Sequence, residues 1–111
     1  MSEKARKFSR LDRILKAHDF DKIKQRGLKA GTKALFVSVL DGRRRRLGVI
    51  ASRKVGGAVQ RNRLKRVVRD FFRTKRQLFP VGDCVVVFRP GAEDFSNSEI
   101  RENVMRALKR F

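Results

Sequence analysis

Apolar residues recur along the chain with two different periods, and the switches between them divide it into elements. "AHDFDKIKQR", about 17 to 26, places Phe20, Ile23 and Ala17 on one face of a helix. Asp19 and Asp21 fall in its first turn, Lys24 and Arg26 in its last, and Gly27 stops it, as the helix dipole favours. The period then becomes two. "ALFVSVLD", 34 to 41, sets Leu35, Val37 and Val39 against Phe36, Ser38 and Leu40, a strand preceded by a short one near 28 to 32. Asp41-Gly42 is a turn, and "RLGVIAS" reads as the hairpin partner, with Leu47, Val49 and Ala51 alternating against Gly48 and Ile50. A long helical period runs from about Gly57 to Gln77, ended by Pro80 and Gly82. "CVVVFR", 84 to 89, is apolar almost throughout and predicts a strand buried on both faces. Ser96 or Asn97 caps a last helix whose Ile100, Val104, Leu108 and Phe111 form a stripe. The order α-β-β-β-α-β-α makes this an α+β fold, a small, mainly antiparallel four-stranded sheet with helices packed against it. Residues 1–11 have no period and read as a flexible basic arm, its end pinned by Phe8 and Leu11; residues 12–111 form a single domain.

The long helix divides lengthwise. At about 100° per residue, Leu64, Val67, Val68, Phe71 and Phe72 share the side that faces the sheet. Asn62, Arg66, Arg69, Arg73 and Arg76 share the opposite side, with Lys65 at its margin and Arg61 between that margin and the apolar stripe. A helix face kept for solubility usually mixes signs, whereas this ridge has almost one sign and favours arginine, which binds phosphates in a planar, bidentate way. Composition makes the point general. Thirty Lys and Arg against 11 Asp and Glu leave a net charge of +19 on 111 residues, which calls for an anionic partner, nucleic acid first. A hydrophobic share of 41% separates the chain from a disordered polybasic tail.

Catalytic chemistry is poorly supplied. Cys84, the only cysteine, lies in an apolar strand and reads as a buried structural thiol. His18, the only histidine, reads as a surface or capping residue, so no zinc set can form and no nucleophile-base pair is present. Asp70 reads as an ion-pair partner in preference to a metal ligand. The Gly56-Gly57 loop lacks the spacing of a phosphate-binding P-loop. No apolar run long enough for a signal or membrane span appears, and the chain reads as cytoplasmic. The basic helix spends half its surface on the core, which disfavours both a DNA-groove reader and a membrane-surface helix.

"SRKVGGAVQRNRLKRVVRDFF", residues 52 to 72, resembles the signature of the bacterial ribonuclease P protein family. Gly56, Ala58, Val59, Arg61, Asn62, Arg63, Lys65 and Arg66 stand where its Gly-x-Ala-Val-x-Arg-Asn-Arg-x-Lys-Arg pattern expects them, and Arg69 where the signature continues. The similarity extends to "DFDKIKQRG" and "LGVIAS", and spans residues 10 to 110. It implies a fold with a left-handed strand-helix-strand crossover, against the usual hand. It also implies the protein subunit of an endoribonuclease that removes the 5′ leader of precursor tRNA, with catalysis carried by a large RNA and the protein alone inactive. A structural RNA-binding protein of the ribosome is the alternative.

The resemblance further implies two sites. On the catalytic-RNA side stand Arg53, Lys54, Arg61, Asn62, Arg63, Lys65, Arg66, Arg69 and Arg73, with Arg61 and Arg63, off the ridge centre, the first candidates to fold back onto the protein. A cleft between the first helix and the sheet would take the single-stranded leader, with Phe20, Lys24, Phe36 and Phe88 as candidates. Phe20 reads equally as core. Lys24 and Ser38 stand where the family often has aromatic residues, which favours phosphate contact or groove shape over base stacking. Mg2+ would act with the RNA in the holoenzyme, while the protein fold needs no cofactor. The partners implied are the catalytic RNA and precursor tRNA, with neither DNA nor membrane.

Overall fold

Strand placement follows from how much apolar surface each strand must bury. The computed structural model describes residues 12–14 and 17–111; the arm expected over residues 1–11, with Phe8 and Leu11, lies outside the described residues. The elements are α1 (Ala17–Arg26), β1 (Leu28–Gly31), β2 (Leu35–Asp41), β3 (Arg46–Ile50), α2 (Ala58–Thr74), β4 (Gly82–Phe88) and α3 (Asn97–Leu108). The sheet order is β1-β2-β4-β3. β4, with Cys84, Val85 and Val86 all buried, takes one of the two inner positions, paired on both edges and covered on both faces.

This order corrects the expected hairpin. β3 does not pair with β2; β4 lies between them, antiparallel to β2 and parallel to β3. Asp41 pairs with Gly82 on one edge of β4 and Arg46 with Asp83 on the other, so residues 42–45 carry the chain across the start of β4. The crossing needs a glycine below it. Gly82 has φ 140°, and a Cβ there would collide with the Leu40 carbonyl oxygen and the Gly42 nitrogen. A turn signal in sequence therefore marked a bend correctly but not the strand it leads to. The outer edge of β3 is covered in part by the start of the described chain, where the Ile14 N–H donates to the Leu47 carbonyl at 3.1 Å.

The two faces of the sheet differ. Leu35, Val37, Val39, Leu47, Cys84, Val86 and Phe88 form one core with α2 and α3. Alternation sends Phe36, Ser38, Leu40, Gly48, Ile50, Val85 and Val87 to the other face. There α1 supplies Ile23 and Phe20, and the Phe20 ring lies on Gly48, where a Cβ would collide with it. One short helix covers this face, and Phe36, Ile50 and Val87 remain only half-buried.

Two helix ends depart from expectation. α2 stops at Thr74, three residues before Gln77, and residues 76–78 form a 3₁₀ turn. There Arg76, 5% exposed, donates through its guanidinium to both oxygens of the buried Asp12 carboxylate at 2.9 and 2.6 Å. Phe79 packs edge-on against Phe71 and Phe72. A continued helix would leave these groups unburied. α3 begins with a full capping box between Ser96 and Glu99, and its buried stripe is Ile100, Val104, Ala107 and Leu108. Phe111, expected on that stripe, lies beyond the helix and is 42% exposed.

Candidate nucleic-acid interface

Burial of one side of α2 fixes what the other side presents. Leu64, Val67, Val68, Phe71 and Phe72 are buried on it, each worth about 1.5–3 kcal/mol, against about 0–1 kcal/mol for a surface ion pair. Packing therefore sets the rotation of the rod, and its arginines go where the core leaves them. Asn62 and Arg66 are exposed, while Lys65, Arg69 and Arg73 are half-buried along the same outer side. Arg53 and Lys54 are exposed in the 3₁₀ turn before the helix.

A depression of about 340 Å3 is lined by Asn62, Arg66, Arg69, Asp70 and Arg13. Arg13 was not identified from sequence, because only the tertiary fold brings residue 13 beside the helix. Partial burial first, and the Arg13 charge second, push the Arg69 guanidinium below its ordinary pKa. Cations are thus kept together at a cost. Among the described residues of this side the one acid is Asp70, 3.9 Å from Arg73.

The signature arginines do not all point alike. Arg63 turns back: its guanidinium donates to Asn97 Oδ1 at 2.7 Å, to the Glu93 and Phe95 carbonyls at 3.1 and 3.2 Å, and to Gln60 Oε1 at 3.1 Å. Arg61 is half-buried, and its Nε is enclosed with no hydrogen-bond partner among the described residues. Arg76, expected on the ridge, belongs instead to the buried pair with Asp12.

On the other face of the sheet, Phe36, Val87 and Ile50 line an open strip beside α1. Phe20 and Lys24 on α1 are half-buried, Phe20 against the small core of this face. Arg89 holds its guanidinium 5.7 Å from the Phe36 ring centroid. It was not identified as a cleft residue, although it continues the alternation of Val85 and Val87 by one step. Phe88 is a correction: it pairs with Leu35 and is buried in the core of the opposite face, because strand alternation separates it from Phe36. Ser38 is on the α1 face but fully enclosed, and its Oγ has no partner among the described residues.

Other chemistry is sparse. Cys84 is buried, with its thiol pushed up to about 12 by burial and by Asp83. His18 is exposed beside Asp19 at 3.3 Å. Among the described residues no three His, Cys, Asp or Glu side chains come together as a cage for a divalent metal. No helix of the described residues is long and apolar enough to cross a membrane.

Comparison with known proteins agrees with this geometry. The family profile described as Ribonuclease P matches residues 8–111. The ribonuclease P protein component of Desulforapulum autotrophicum is 32% identical over 106 residues, covering 93% of this chain and 91% of that protein. That of Brevibacillus brevis is 34% identical, covering 91% and 83%. Among solved structures, the Staphylococcus aureus RNase P protein superposes with a TM-score of 0.84 at 29% identity, covering 89% of this chain and 94% of that one. The Thermotoga maritima RNase P protein gives 0.79 at 31% identity, covering 89% and 96%. A structural protein of the ribosome finds no support among these. The chain belongs to the ribonuclease P protein family, the protein subunits of the ribonucleoprotein that processes tRNA.

Proposed function

We propose that the outer side of α2 docks on the catalytic RNA of ribonuclease P, and that the strip beside α1 receives the single-stranded 5′ leader of precursor tRNA. The observation that carries the reading is the basic α2 face, where Arg66, Arg69 and Arg13 converge on a depression whose described lining holds one acid, Asp70. Arg53, Lys54, Lys65, Arg66, Arg69 and Arg73 neutralise phosphates, and Asn62 reaches a ribose or base edge. Arg61 joins them from the margin. In the cleft, Phe36 and Phe20 offer ring faces, while Lys24 and Arg89 draw the backbone of a strand whose sequence varies.

Chemistry then belongs to the RNA. The protein offers neither a base-nucleophile pair nor a metal cage among its described residues, so its part is to hold two polyanions together. It thereby lowers the Mg2+ that the RNA needs to bind substrate. Such a complex works in the cytoplasm, where precursor tRNA is made.

The test is cleavage of a 5′-extended precursor tRNA at low magnesium by the protein alone, by bacterial ribonuclease P RNA alone, and by both. Cleavage only in the mixture is the expected result. Equal cleavage with and without the protein would overturn the proposal.

A further inference from the structure

A groove of about 920 Å3 runs between α2 and α3, larger than the depression around Arg13. One wall carries Asn62 and Arg66 of the docking side, and the other carries Ser98 and Arg101 of α3. Arg101 is exposed, and its guanidinium donates to Ser98 Oγ at 3.3 Å, with no carboxylate within ion-pair distance among the described residues. The basic residues Arg63, Arg66, Lys75 and Arg101 face the acids Asp70 and Glu102, an excess of two positive charges.

The occupant follows from what the floor lacks. Val67 and Phe71 are 8% and 6% exposed, so they are already spent on the core, and the apolar side chains left are Val59, 81% exposed in the first turn of α2, and Met105, 36% exposed on α3. That is too little for an amphipathic helix to bury. A second copy of the chain would bring another +19 against the first. A sugar-phosphate strand needs little apolar floor and gains from both cationic walls.

We infer that the RNA-binding surface crosses from α2 onto α3, with Arg101 as a phosphate contact and Arg63 as the residue that positions it. The inference rests on the docking role proposed for α2. Arg63 reaches 30 or more residues ahead to hold Glu93, Phe95 and Asn97, the segment that leads into α3. Its acceptors are neutral carbonyl oxygens, so no carboxylate is needed to hold it. The planar fork spans acceptors that a lysine ammonium cannot satisfy together. Arg63 is thus a positioning residue, and it sets how far Arg101 stands from Arg66.

The experiment is a salt titration of binding to transcribed bacterial ribonuclease P RNA, with Arg101→Gln, Arg63→Lys, the double variant and Arg66→Gln, each also melted thermally. Arg101→Gln is expected to lower the slope of log K against log salt by about 0.7–0.9 with an unchanged melting temperature. Arg63→Lys should lower both melting temperature and slope, and the double variant should lose no more slope than the larger single loss. An unchanged slope for Arg101→Gln beside a reduced one for Arg66→Gln would end the RNA surface at α2 and overturn the inference. Unchanged slopes for both would overturn the α2 docking role as well.

Discussion

Asp12 and Arg76 show how much one residue's environment outweighs its type. Arg76 has the helical phase of the outward arginines, yet its guanidinium lies 4.7 Å from the Phe72 ring centroid and closes a bidentate pair with an aspartate that is 1% exposed. Removing one member strands a buried charge, which is costlier than removing both. Asp12→Ala should therefore destabilise the domain by about 3–5 kcal/mol in urea unfolding, and Asp12→Leu with Arg76→Met should recover most of that loss. Arg44, 3.8 Å from Asp12, would be left beside the vacancy in the single variant. A cost below about 1 kcal/mol for Asp12→Ala would mean that the pair is solvated in solution. The sequence contained both residues, 64 apart, but no local pattern connects them.

At the level of elements, α3 is the part most fully legible in the chain. The capping box is local, with Glu99 N–H donating to Ser96 Oγ at 3.2 Å and Ser96 N–H donating to Glu99 Oε1 at 2.8 Å. Ser96→Ala should cost about 1 kcal/mol by equilibrium unfolding. The Ser96 backbone N–H first, and its hydroxyl second, hold the Glu99 carboxyl below its ordinary value of 4.5. A carboxyl lowered in the folded state adds stability above that value and loses it as pH falls through the folded pKa. Acid unfolding of Glu99→Gln should accordingly be flatter than that of the parent below about pH 4.5, and parallel curves would count against the capping bond. α2 was legible in its two sides but not in its end, because packing of Phe79 stops it, not a local stop signal. The β2–β3 connection was misassigned for a related reason. Asp41-Gly42 specifies a bend, whereas the choice of neighbour is made by β4, more than 30 residues later.

For the whole molecule, the net charge of +19 sets the behaviour in solution. Self-repulsion opposes the compact state, and anions that bind the native surface relieve it by mass action. At equal, low ionic strength, sulfate should raise the melting temperature more than chloride, and the difference should shrink in Arg66→Gln/Arg69→Gln. Equal melting temperatures in the two salts would attribute the effect to general screening alone. The same double variant tests the docking face, since each lost phosphate contact lowers the salt slope of RNA binding by about 0.7–0.9.

The sequence by itself determined the fold class, the element order, the sidedness of α2 and the family, because periodicity, caps and the run of residues from 52 to 72 are local in the chain. The tertiary structure alone decided that β4 lies between β2 and β3, that Phe88 faces away from Phe36, and that Arg76 is core while Arg13 joins the basic face. It also decided that Arg63 holds α3. Each of these depends on which distant segment satisfies a buried charge, a carbonyl or a strand edge, and that is settled by packing the whole chain at once.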